Sequence, residues 1–183
     1  MSALRIAIAI VAVILLGAVY FAAGCQGEQA SNKKPDVQNP KGKGASPVVG
    51  NTKADRIVDN LKISIIISSN QVKLNEPLHL KLSVENMGSE SRELTFTSAQ
   101  KFDIRVTKVS GQKVWRWSDG KVFAQNIETV TMEPGKSISY DAEWPLKDST
   151  GKTIAPGNYN IFGKITADGL RDKEVEIGIT VKP

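Results

Sequence analysis

Val114-Trp115-Arg116-Trp117-Ser118-Asp119-Gly120-Lys121-Val122-Phe123-Ala124-Gln125 is the stretch that decides how this chain is read. It holds two of the three tryptophans. Trp115 and Trp117 stand two apart, so on a strand they share a face, and Val114, Arg116 and Ser118 take the other. Asp119-Gly120 is a two-residue hairpin signal, because both turn positions need positive φ and Gly supplies it without strain. A short second strand is then expected over 122–125. The stretch therefore reads as an antiparallel hairpin with a tryptophan face.

Working outward, the same period of two recurs on both sides. Upstream, Leu61, Ile63, Ile65 and Ile67 alternate with Lys62, Ser64, Ile66 and Ser68, and Ile66 breaks the pattern. Leu78, Leu80, Leu82 and Val84 alternate with His79, Lys81, Ser83 and Glu85, the cleanest strand pattern in the chain. Leu94 with Phe96, and then Phe102, Ile104 and Val106, continue it. Downstream, Ile138, Tyr140, Ala142 and Trp144 share a face, and Pro145 ends that strand because it cannot donate to a ladder. Tyr159, Ile161, Gly163 and Ile165 follow with Phe162 outward, and Val175, Ile177, Ile179 and Val181 close the pattern. No stretch after the N-terminal segment shows a helical period. Eight to ten short strands at this spacing predict an all-β fold, an antiparallel β-sandwich over residues 60–183. That length supports a two-sheet core without disulfides.

The Val-Trp-Arg-Trp-Ser run followed by Phe123-x-Gln125 resembles the signature of the BsuPI-type intracellular proteinase inhibitors. The resemblance extends to Phe96…Ser98-Ala99-Gln100…Phe102-Asp103, to Pro134-Gly135 and to Pro156-Gly157-Asn158-Tyr159. Ala99, Phe102 and Ala124 stand where the family typically has Gly, Tyr and Thr. The resemblance implies an immunoglobulin-like sandwich and inhibition of a serine proteinase of the subtilisin kind. Tyr159, after Pro156-Gly157, is expected to act as a corner tyrosine whose hydroxyl ties a loop to the sheet.

Residues 1–24 read as a signal peptide or signal anchor. Arg5 is the lone basic residue of a short head, and no charge interrupts Ile6 to Gly24. Ala22-Ala23-Gly24 are the small residues of a cleavage site. Cys25, the single cysteine of the chain, follows directly and resembles the lipidated cysteine of a bacterial lipobox, with Ala22 where the lipobox usually has Leu or a similar large apolar residue. Two acyl chains there would hold the protein on a membrane, where one chain binds only marginally. The alternative is an uncleaved anchor, since about 19 apolar residues can cross a bilayer. Both readings place the rest of the chain on the outer face of the cytoplasmic membrane. Residues 25–59 read as a flexible linker rich in Asn, Lys, Gly, Pro, Ser and Gln, too poor in apolar residues to offset its ordering entropy.

Charge and composition narrow the function. The net charge of +5 comes from 24 Lys and Arg scattered among 19 Asp and Glu, so no basic stripe for nucleic acid stands out. His79, the single histidine, lies outward on a regular strand, and nucleophilic triads depend on such a base. Metal sites need several converging ligands, and no spacing supplies them. Ser118-x-x-Lys121 spans a turn, Ser149-x-x-Lys152 lies in a loop with no neighbouring helix, and Gly151-Lys152-Thr153 lacks the earlier glycine of a phosphate loop. No catalytic residue, metal or cofactor is therefore expected. The chain is expected to act by binding a serine proteinase or another envelope protein. An adaptor or adhesion module of the cell envelope, holding a protein or wall polymer, is the alternative. The loop from Trp144 to Pro156 is the expected contact, with Leu146 and Lys147 offered to an apolar or acidic pocket. Arg116, paired with Asp119 or stacked, and the outward Phe162 are further partner-binding candidates.

Overall fold

The computed structural model describes residues 52–183, so the signal segment, Cys25 and the linker up to residue 51 lie outside the described residues. Eleven strands follow: β1 (Lys53–Val58), β2 (Leu61–Ile67), β3 (Gln71–Lys73), β4 (Leu78–Asn86), β5 (Arg92–Phe96), β6 (Phe102–Lys108), β7 (Lys113–Arg116), β8 (Glu128–Met132), β9 (Ser137–Trp144), β10 (Gly157–Ile165) and β11 (Val175–Lys182). One sheet has the order β1-β2-β4-β9, a second β3-β11-β10-β6-β7, and β5 pairs with β8. Every pairing is antiparallel except β3 with β11. This is the all-β sandwich that the period of two predicts.

The core is the sum of the inward faces. Ile63, Ile65, Leu80, Leu82 and Val84 of the first sheet are buried against Ile104, Val106, Ile161, Ile177 and Ile179 of the second. Gly163 sits between the layers. A Cβ there would lie 2.6 Å from Leu82 Cδ1 and 3.3 Å from Ile65 Cδ1, so its missing side chain lets the sheets close on each other. Asn86 is a buried polar hub at the end of β4. Its Nδ2 donates to Glu90 O (2.8 Å) and Met132 O (2.9 Å), and its Oδ1 accepts from Gly88 N (3.0 Å). These bonds join the first sheet to the β5–β8 pair.

Two expectations need correction here. The sandwich begins before residue 60, because Lys53–Val58 forms an edge strand in full register with β2. Lys53, Asp55 and Arg56 break its apolar alternation, and Ile57 is 62% exposed. Charges suit an edge strand, since they discourage pairing with another chain. The Asp119-Gly120 hairpin does not form. Lys121 N donates to Ser118 O (3.1 Å), so the turn is real. Gly120 takes positive φ (74°) but Asp119 does not, so the mirror-image hairpin turn is absent. Residues 121–127 form no strand, and β8 pairs with β5 instead.

Candidate functional site

β7 is an edge strand with a defect at its centre. Val106 faces Trp115 and Thr107 faces Lys113, so Val114 is the extra residue of a β-bulge. The bulge reverses the alternation there. Val114, expected opposite the tryptophans, is buried with the core. Trp115 and Trp117 are both half-buried and packed against the core, and Trp144 is the tryptophan that is fully buried. Trp115 stands 6.3 Å from Trp144, which meets Tyr159 edge-on at 5.8 Å. The Tyr159 hydroxyl donates to Ala155 O (2.6 Å), four residues upstream, as expected of a corner tyrosine.

Arg116 reaches across to β6. Its Nε donates to Asp103 Oδ2 (2.6 Å), and the Ser118 hydroxyl donates to the same oxygen (3.1 Å). Asp103 is 2% exposed, so its charge is matched inside the protein. The expected partner, Asp119, is taken by others. Lys113 Nζ donates to it at 2.9 Å and the Ser149 hydroxyl at 2.8 Å. The lysine contact, then the serine bond, holds the Asp119 carboxyl below the usual carboxylate range. Phe162 lies outward as expected, covered by the Arg105 guanidinium at 3.8 Å. Arg105 also forms a two-point pair with Glu174 (3.0 and 2.6 Å), which lowers the Glu174 pKa.

The loop after β9 is a closed hairpin. Lys147 bridges to Thr153, Asp148 N donates to Lys152 O (2.8 Å), and Ile154 N donates to Leu146 O (3.1 Å). Asp148 Oδ1 accepts from the Thr150 hydroxyl (2.6 Å), Thr150 N (2.9 Å) and Lys152 N (3.0 Å), and its pKa is lowered by the hydroxyl first. Ser149 N donates to Val114 O (2.9 Å), so the hairpin tip covers the free edge of β7. Trp144 Nε1 donates to Lys147 O (2.9 Å). Leu146, expected at the contact surface, has φ of 54° and is wholly buried, so its side chain belongs to the core. Lys147 is exposed.

The second loop, residues 121–127, forms neither the short strand expected over 122–125 nor any other. It is anchored at few points. Phe123 packs on Trp117 (5.9 Å), Trp117 on Phe102 (4.2 Å) and Phe102 on Tyr140 of β9 (5.1 Å). An aromatic row thus runs from this loop to the edge of the other sheet. Lys121 Nζ lies 3.3 Å from the Trp117 ring centre, and burial lowers its pKa. Ala99 N donates to Ala124 O (2.9 Å). Between these anchors Val122 is 98% exposed, and at the loop's exit Ile127 is 77% exposed. The sequence signal for this loop is the apolar Val122 two residues after the turn glycine Gly120, which strand alternation absorbs.

Among the described residues, the single histidine lies away from these loops. His79 lies on the outer face of the first sheet, 3.5 Å from Glu143. A cavity of ≈ 340 Å³ beside the hairpin is lined by Lys108, Lys113, Val114, Asp148, Lys152 and Tyr159 among others, with no histidine. Among the described residues, no group of three or more His, Cys, Asp or Glu is placed to hold a metal. What the site offers is shape: two loops held in different ways, on either side of the signature stretch.

The fold and loops define a β-sandwich built to present loops. The family model of the BsuPI intracellular proteinase inhibitors matches residues 65–169, more than half of the chain, and the chain belongs to that family. The match spans the signature strand, both loops and most of the core. The family is one of proteinase inhibitors. No curated protein matches the sequence. Among solved structures, the C-terminal domain of wzt is similar with a TM-score of 0.46 and 12% identity, over 75% of this chain and 83% of that one. A β-glucosidase from Listeria innocua in complex with glucose has a TM-score of 0.39 and 14% identity, over 67% of this chain and 16% of that one. The Pseudomonas fluorescens alkylpurine DNA glycosylase AlkC has 0.40 and 14%, over 68% and 31%. The chain therefore spans about a sixth of the β-glucosidase and a third of the glycosylase.

Proposed function

We propose that this protein inhibits a serine proteinase of the subtilisin kind, outside the cytoplasmic membrane, and is tethered there through its N-terminal segment. The observation that carries the inhibitory part is the family match across the signature strand and its loops. Inhibition by binding needs segments held in shape before the proteinase arrives, because pre-organisation reduces the entropy lost on association. Packing and hydrogen bonds supply that order here. The tether rests on the charge-free run to Gly24, the small residues before Cys25, and Cys25 itself. Lys147 is an exposed contact at the rim of the interface, while Arg116 and Phe162 act through the outer face of the second sheet, where Asp103 and Arg105 hold them.

Titration of several serine proteinases with the full-length chain tests the inhibitory reading. Stoichiometric loss of activity with at least one subtilisin-type enzyme is expected. If none is slowed, the envelope-adaptor reading replaces it. Mass spectrometry of protein extracted from membranes tests the tether. A diacylated N-terminal Cys25 is expected, and an intact Met1 with a free thiol would leave an uncleaved anchor.

A further inference from the structure

We infer that residues 121–127 are the segment a proteinase grips, with Val122 the side chain that enters its main apolar specificity pocket. This rests on the inhibitory reading above and adds the contact to it.

Proteinase clefts bind extended chain. They add main-chain hydrogen bonds along it and read alternate side chains in pockets, the logic of strand addition. A segment suited to that needs free backbone groups, an exposed apolar side chain and fixed ends. Residues 121–127 have all three. Among the described residues, the Val122 amide and carbonyl make no hydrogen bond. No residue from 121 to 127 takes positive φ, so the segment contains no left-handed kink. Over 122–124 the side chains alternate: Val122 and Ala124 are exposed, and Phe123 between them is half-buried against Trp117.

The ends are fixed by different means. At the entrance, Lys121 N is bonded to Ser118 O (3.1 Å) across the Gly120 turn, and its ammonium rests on Trp117. In the middle, Ala124 O accepts from Ala99 N (2.9 Å). At the exit, β8 begins at Glu128, opposite Phe96 of β5. Val122 is the most exposed of the large hydrophobic residues among those described, and it stands beside the anchored Phe123. A single exposed apolar residue is ordinary on a protein surface. One whose own amide and carbonyl are unpaired, held between flanks bonded through Lys121 N, Phe123 O and Ala124 O, has the form of a ligand. The hairpin after β9 lacks that form, because its backbone groups are spent on the cross-strand bonds and its apolar Leu146 is buried.

The test compares three full-length proteins against a subtilisin-type proteinase: the unaltered chain, Val122→Asp and Lys147→Ala. Since Val122 is almost fully exposed, Val122→Asp should keep the urea midpoint and tryptophan emission of the unaltered chain. It is expected to weaken inhibition at least tenfold, because a carboxylate cannot be paired in an apolar pocket. Lys147→Ala, which trims only a rim contact, is expected to weaken inhibition by less than threefold. If the unaltered chain inhibits and Val122→Asp inhibits equally well, the assignment of this loop is wrong and the inhibitory reading stands. If the unaltered chain inhibits none of the enzymes, both fall together. A larger loss with Lys147→Ala than with Val122→Asp would move the contact to the hairpin.

Discussion

The two loops beside the signature strand solve opposite problems with neighbouring residues. The hairpin from Pro145 to Ala155 is stitched internally by backbone bonds, plugged into the core by Leu146, and capped by Asp148. The segment from Lys121 to Ile127 is held from below, by one aromatic ring, one carbonyl and the turn that feeds it. The first spends its backbone on itself and so protects the edge of β7. The second leaves the Val122 amide and carbonyl free and so has something to offer a partner. Stability and recognition are thus separated along the signature stretch, with Trp115 on the hairpin side and Trp117 on the other.

Trp144→Ala breaks the hairpin side. It removes a wholly buried indole, its contacts with Trp115 and Tyr159, and the bond from Nε1 to Lys147 O. Truncating a buried tryptophan costs about 3–5 kcal/mol. That is a large share of the stability of a domain this size. A sharp drop in urea midpoint is expected, and an unchanged midpoint would mean that the hairpin is not held by the core.

Trp117→Ala breaks the other side. This ring is only half-buried, so the stability cost should be smaller, about 1–3 kcal/mol from the apolar area lost. Its functional cost should be the larger of the two under conditions where both variants are folded, because Phe123 and Lys121 lose their platform. Inhibition measured at equal folded concentration checks this. Equal inhibition by the two variants would remove the division of labour between the loops.

Much of this was legible in the chain. Strands with one buried face write themselves as alternation, and Leu78–Glu85 and Tyr159–Ile165 appear in the structure as read. What escaped are features that depend on neighbours distant in sequence. Lys53–Val58 is a strand only because β2 offers it an edge, and its charges mask the period. Val114 turns inward because the β7 register slips against β6. Arg116 binds Asp103 because Lys113 and Ser149 already hold Asp119, and Ser149 is brought there by the hairpin. Leu146 is buried because a left-handed backbone at that residue turns it inward. Asp119-Gly120 makes a turn, as its composition demands, but no strand follows for it to pair. Phe123 finds Trp117 instead, and the segment leaves the sheet.

The smallest effect separates the loops by pH. Asp119 and Asp148 both anchor the hairpin and both have lowered pKa values, the first through Lys113 and the second through the Thr150 hydroxyl. A carboxyl whose folded pKa is depressed stabilises the structure above its unfolded value of about 3.9, and that contribution is lost as pH falls through the folded value. Acidification below about pH 4 should therefore loosen the hairpin tip. Both groups lie near solvent, where screening keeps the contribution of each small. The contacts of Phe123 with Trp117 and of Ala124 O with Ala99 N involve no ionisable side chain. Amide hydrogen exchange reads the two sites in one experiment, with Ser149 N–H, bonded to Val114 O, reporting on the hairpin and Ala99 N–H reporting on the other loop. After correction for the intrinsic pH dependence of exchange, protection of Ser149 should fall as the pH drops below about 4 while that of Ala99 holds. Asp119→Asn should start with reduced Ser149 protection at neutral pH and show a flatter decline, because its lost charge no longer titrates. If Ala99 loses protection in step with Ser149, the loops open as one unit and the contrast between them has no energetic basis.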